Sequence, residues 1–153
     1  MYMPRKAIMV RHALPDGNQV DNGSRSELIS LAGRINSLLS QRELGKIFSS
    51  NLARARQSAS VLVSEGVAGG IDCQNILGDF EPDKVTIELL GQVWALISEC
   101  EGDVVVVVTH LPILHGLLKF CVDRMGYQCP PKINIEDAKA YMIDFERITI
   151  SRF

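Results

Sequence analysis

The sequence predicts one α/β domain, a mostly parallel sheet with helices on both faces. Three observations point there. Residues 103–109, DVVVVVT, hold five consecutive valines, which suits a central parallel strand covered on both sides. Short apolar runs alternate with stretches of helical period, the pattern of repeated βα units. The 153 residues, 46% hydrophobic and 22% charged, are a globular composition long enough to bury a substantial core.

Each element has its own signal. KAIMV (6–10) is a short apolar run with a polar stop and reads as a buried strand. Leu28, Leu31, Ala32, Ile35, Leu38 and Leu39 recur with helical period and predict an amphipathic helix over about 26–41. KIFSS (46–50) is the second strand. Ser49, Ser50 and Asn51 follow as N-caps for a helix that buries Ala55, Ala59, Leu62 and Val63. GVAGG (66–70) breaks that helix, QNIL (74–77) is a short strand candidate, and GDFEPD (78–83) reads as a loop. Val85, Leu89, Val93, Leu96, Ile97 and Cys100 mark a third helix, with Gly102 placed to end it. After the valine strand, Pro112 suits the first turn of a fourth helix carrying Ile113, Leu114, Leu117 and Leu118. Residues 140–153 alternate well enough for one or two strands at the sheet edge.

Composition narrows the function classes. A formal net charge of -2 gives no general reason to expect nucleic acid or a membrane surface as partner. The four cysteines (Cys73, Cys100, Cys121, Cys129) contain no CxxC pair, which argues against a zinc or thioredoxin-type site. Cys100 and Cys121 fall among apolar residues and read as small core side chains. No charged-then-apolar leader opens the sequence and no apolar run approaches a membrane span, so a reducing cytoplasm is the expected compartment.

The polar residues that carry chemistry fall at strand ends. Arg11 and His12 follow the first strand, Arg54 the second, and His110 the valine strand. In a parallel sheet these C-terminal ends share one edge, where ligands bind and helix N-termini add N–H donors. Alone, either histidine is more often a cap or core residue, and Arg54 a solvated helix residue. Arg56 reads as solvated and His115 as a pocket wall. Together, two arginines and two histidines at one edge make an anion site, and phosphate is the anion that fits arginine's planar fork. An imidazole can take a phosphoryl group covalently, and a second, protonated histidine would stabilise charge on the equatorial oxygens.

The same residues carry a resemblance. VRHA (10–13), SSNLARARQSA (49–59) and VVVTHLPI (106–113) resemble, in the right order, three signatures of the histidine phosphatase (phosphoglycerate mutase-like) superfamily. The short length and THLPILHGLL look most like the small SixA-type phosphohistidine phosphatases, and ISLAG (29–33) is similar to a further family stretch. The resemblance implies a three-layer α/β/α fold over one domain, 1–153, without a lid or cap domain. It also implies a metal-independent, cofactor-free phosphatase. His12 would be the nucleophile, Arg11 and Arg54 the phosphate arginines, and His110 the partner histidine. Asn18 matches a phosphate-binding asparagine, while Asp79 and, second, Glu81 match the position of a general acid. LPDG (14–17) departs from the family pattern, so substrate choice is expected there.

With about 25 residues between Arg54 and Asp79 there is no room for a lid, and an open site is expected. The expected substrate is phosphohistidine on a protein, for instance a histidine phosphotransfer domain. The alternatives are a small phosphorylated metabolite, or an idle copy of the fold used as a binding module.

Overall fold

Five valines in sequence have no polar face to offer, so they belong where both faces of a sheet are covered. In the computed structural model, which describes residues 4–17, 19–40, 42–67, 69–136 and 138–153, they form a strand whose six residues, Val104–Thr109, are all buried. The elements in chain order are β1 (Lys6–Arg11), β2 (Pro15–Asp16), β3 (Gln19–Val20), α1 (Asn22–Leu39), β4 (Leu44–Ser50), α2 (Ala53–Ser64), β5 (Ile71–Gln74), α3 (Ile87–Ser98), β6 (Val104–Thr109), α4 (Leu111–Met125), β7 (Ala140–Asp144) and β8 (Thr149–Arg152). Short 3-10 turns occupy Asn75–Leu77 and Pro82–Lys84.

Six strands form one mixed sheet in the order β5-β4-β6-β1-β7-β8. β5, β4, β6 and β1 run parallel, and β7 and β8 close the edge antiparallel. Alternation along the central strands splits the core in two. Ala7, Met9, Val105 and Val107 face α3 and α4, while Ile8, Val10, Val106 and Val108 face α1 and α2. The expected three layers are present.

Several local expectations change. α1 starts at Asn22, not 26, because Asp21 caps it by accepting from the Ser24 N–H at 3.2 Å, and the first turn holds no apolar residue to announce it. Ser49 and Ser50 belong to β4, and the N-cap of α2 is Leu52, which makes no side-chain cap bond. The fifth strand is Ile71–Gln74, and the residues after Gln74 turn into a 3-10 helix. α3 starts at Ile87, capped by Thr86 Oγ1 accepting from the Leu89 N–H at 3.1 Å, and ends at Ser98. Gly102 lies beyond it, at φ +104°, where a Cβ would come within 2.4 Å of the Gly45 backbone. Its work is to let the turn before β6 cross the start of β4.

Cys100 and Cys121 are buried as expected, and burial pushes the Cys121 thiol up to about 12. Among the described residues no helix is long and apolar enough to cross a membrane. No group of three or more His, Cys, Asp or Glu among them is placed to hold a metal ion.

Candidate active site

Sheet register sets the height of the site. Arg11 pairs with Thr109 across β1 and β6, and Ser49 pairs with Val108 across β4 and β6. His12, His110 and the residues after Ser50 therefore leave the sheet at one level. The backbone N–H of His12 donates to the Thr109 carbonyl at 3.0 Å, which ties the end of β1 to the end of β6.

The two imidazoles meet there, with ring centroids 4.9 Å apart and planes tilted by 56°. His12 places Nδ1 2.9 Å from the Ala13 carbonyl. A carbonyl only accepts, so Nδ1 carries a proton and donates it there. The next residue is held as well: the Ala13 N–H donates to Ser58 Oγ at 2.8 Å, and that hydroxyl donates to the Arg54 carbonyl at 2.9 Å.

His110 is 1% exposed, with Nε2 2.8 Å from Ser50 Oγ. Its pKa is lowered to about 4, first by burial, then by His12 and Arg54, against an opposing pull from Asp79. Burial thus favours the neutral imidazole in the ligand-free protein. Ser50 Oγ accepts from the Leu52 N–H at 3.2 Å and has one proton of its own to give to Nε2. That assignment leaves an N–H on His110 Nδ1, which is buried and has no protein partner.

The arginines approach from two sides. Arg54, in the first turn of α2, donates through Nη2 to Asp79 Oδ2 at 2.5 Å, and both side chains are partly exposed. Arg11 donates through Nη1 to the Ile135 carbonyl at 2.8 Å. Asp79 is carried by the loop after β5. Thr109 Oγ1 donates to the Leu77 carbonyl at 2.7 Å, and the Asn51 and Asn75 side chains bond to each other, which anchors that loop over the ends of β4 and β6. Neither α2 nor α4 has a side-chain N-cap, so their first-turn N–H groups add donors near the same edge.

Arg11, His12, Arg54, Asp79 and His110 thus share the C-terminal edge of the sheet. Glu81 is exposed, just before the 3-10 turn, and makes no hydrogen bond or ion pair with this group among the described residues. Asn18 lies outside the described residues. The sequence reading took Ser50 only as a helix N-cap and did not single out Ser58, which lies within α2; their partners reveal both.

The arrangement sets two imidazoles beside a guanidinium and two helix N-termini, a set of groups chemically suited to an anion. Beyond Arg11 and Leu111 opens a cleft of about 1140 Å³, walled by α4, by residues 82–90 and by residues 133–135.

No protein-family model and no curated sequence matches the chain. Solved structures do resemble it. A protein histidine phosphatase SixA complexed with tungstate matches with a TM-score of 0.61 at 12% identity, covering 97% of this chain and 94% of that one. A putative phosphohistidine phosphatase SixA from Agrobacterium tumefaciens matches with a TM-score of 0.66 at 16% identity, over 98% and 96% of the two chains. A phosphoglycerate mutase from Plasmodium falciparum matches with a TM-score of 0.61 at 12% identity, over 97% and 87%. The chain has the phosphoglycerate mutase-like α/β fold that these proteins share.

Proposed function

We propose that this chain is a phosphatase that passes a phosphoryl group through His12. The observation that carries the reading is the contact of His12 with the Ala13 carbonyl: Nδ1 donates there, which directs attack on phosphorus to Nε2. In the first step the bond from phosphorus to the leaving group breaks and the P–Nε2 bond forms. In the second step water adds its oxygen to phosphorus, the P–Nε2 bond breaks, and orthophosphate leaves.

The other residues act on the phosphoryl oxygens. The unpartnered Nδ1–H of His110 donates to one of them, and Arg54 and Arg11 balance their charge. Bound phosphate favours the protonated form of His110, so a neutral histidine in the resting site gains positive charge as the anion arrives.

The substrate this site suits is phosphohistidine on a protein, such as a histidine phosphotransfer domain. Asp79, the first match for a general acid, is engaged with Arg54 in the ligand-free protein, which suits a leaving group that needs little acid help. An imidazole leaves with less help than an alkoxide. No metal or cofactor enters this scheme, and four free cysteines suit a reducing cytoplasm.

The test has two parts. Wild type and His12→Ala are incubated with radiolabelled phosphoramidate and quenched in alkaline detergent, because phosphohistidine is labile in acid. Label on wild type alone supports the nucleophile; label on neither, with no hydrolysis, favours an idle binding module. Turnover of a phosphohistidine peptide is then compared with that of p-nitrophenyl phosphate and sugar phosphates. Faster turnover of the esters would move the substrate to small phosphomonoesters.

A further inference from the structure

Among the described residues six large apolar side chains are substantially exposed, and three of them stand within two residues of the groups at the phosphate edge. Leu14 (50% exposed) follows His12 by two residues, Leu52 (40%) precedes Arg54 by two, and Leu111 (36%) follows His110 directly. Ile87 (51%) opens α3 and, with Leu111, lines the adjoining cleft. Such exposure costs solubility and adds nothing to the core. An apolar patch gathered around a polar centre marks a surface that another molecule covers.

The cleft extends this surface in one direction. Along α4 its lining runs from Leu111 to Arg124, thirteen residue steps or roughly 20 Å of helix. Its volume of about 1140 Å³ exceeds the roughly 300–1,000 Å³ usual for small-ligand pockets. Gly116 sits on its floor, where a Cβ would meet Val85 at 3.0 Å, so even a methyl group there would crowd the wall. The rim is cationic: Lys119 and Arg124 are exposed, neither forms an ion pair among the described residues, and Asp123 is the one acid in the lining.

We infer that the collar and cleft are the docking face for the phosphorylated protein itself, and that the cleft takes an amphipathic segment of that partner bearing acidic side chains. This rests on the phosphatase reading above and adds the chemistry of the partner. The partner's apolar side chains cover Ile87, Leu111 and the apolar wall of the cleft, and its carboxylates pair with Lys119 and Arg124. A small phosphomonoester would fill the phosphate site and a fraction of the cleft, and would leave Leu14 and Leu52 in water.

The test uses two synthetic peptides, each carrying one phosphohistidine among leucines, one with glutamate and one with lysine at the remaining positions. Inorganic phosphoramidate serves as the substrate too small to reach the cleft. Wild type is expected to prefer the glutamate peptide by about tenfold in kcat/KM, the worth of two exposed ion pairs plus steering. The double variant Lys119→Glu with Arg124→Glu is expected to invert the preference, and Ile87→Asp to weaken both peptides severalfold. Turnover of phosphoramidate is expected to stay unchanged in both variants, since these exposed positions lie away from the phosphate edge.

Equal use of the two peptides, unaltered by the variants while phosphoramidate turnover is normal, overturns the docking face and leaves the phosphatase reading standing. Variants that raise KM for a carboxylated aryl phosphate as strongly as for the peptide overturn it too, in favour of a small-molecule cleft. If wild type hydrolyses no phosphoramidate, the phosphatase reading fails instead. Fluorescence anisotropy with the unphosphorylated glutamate peptide then decides the docking face: binding lost on charge reversal supports it, and absent or unaltered binding overturns it.

Discussion

Arg54 Nη2 and Asp79 Oδ2 stand 2.5 Å apart, joining the first turn of α2 to the loop after β5. The pair sets an acid against the role that resemblance assigned to it. A carboxylate that accepts from a guanidinium occupies the donor an incoming phosphate would use, and it adds a negative charge beside the anion. In the ligand-free protein Asp79 is thus a competitor for Arg54.

The first prediction follows from that competition. Asp79→Asn keeps the shape and removes the charge, so orthophosphate should inhibit severalfold more strongly, within the range of a partly exposed ion pair. The inhibition constant is read with phosphoramidate as substrate. Weaker inhibition would mean that Asp79 places Arg54 rather than competing for it. A much larger loss of alkyl phosphate than of phosphoramidate turnover would restore Asp79 as general acid.

The second prediction concerns Ser50. Its hydroxyl fixes His110 Nε2 at 2.8 Å and thereby points the remaining N–H through Nδ1. Ser50→Ala removes one hydrogen bond, worth about 1 kcal/mol, and frees the tautomer, so kcat should fall about tenfold with a smaller change in KM. Nitrogen-15 NMR of His110 reports the tautomer directly. An unchanged Nδ1–H signal with unchanged kcat would remove Ser50 from the positioning role.

These residues show which parts of the molecule a single sequence discloses. The valine strand and the strand-end residues Arg11, His12, Arg54 and His110 were legible because their signal is local. Apolar runs stop at a polar pair, and parallel topology brings the stops to one edge. Ser50 and Ser58 were not legible, since their meaning lies in partners 60 and 45 residues away. The start of α1 was missed because a capping Asp21 and a polar first turn carry no apolar period. The lowered pKa of His110 was not legible because burial and the nearness of His12 are tertiary facts. The apolar collar was hidden for the same reason: Leu14, Leu52 and Leu111 look like ordinary core residues until the fold leaves them outside.

The third prediction is a pH dependence of stability. The folded pKa of His110 is lowered from 6.5 to about 4. Below 6.5 the unfolded chain takes up a proton that the folded chain refuses, so stability is full above about 6.5 and falls as pH drops toward 4. At 1.36 kcal/mol per unit the loss is at most about 3 kcal/mol, an upper bound because part of the shift comes from the neighbouring His12 and Arg54 charges. Urea melts between pH 7 and pH 4 should show this slope reduced in His110→Asn. An identical slope in the variant would place the acid sensitivity elsewhere. Saturating orthophosphate should flatten the wild-type slope, because the anion favours protonated His110 in the folded state.

The fourth prediction tests how the nucleophile is held. The Ala13 N–H donates to Ser58 Oγ, on a side chain that is fully buried on α2, and the Ala13 carbonyl in turn orients His12 Nδ1. Ser58→Ala leaves that N–H without its partner, at a cost of about 1–3 kcal/mol in stability. It also loosens the carbonyl that selects the His12 tautomer, and displacements near 1 Å in such sites cost up to about a hundredfold in rate. Thermal melts and single-turnover phosphoryl transfer to His12 are measured together, well below the variant's melting temperature. The expected result is a lower Tm together with at least a tenfold slower transfer. A lower Tm with an unchanged transfer rate would show that the Thr109 carbonyl, bonded to the His12 N–H, is enough to hold the nucleophile by itself.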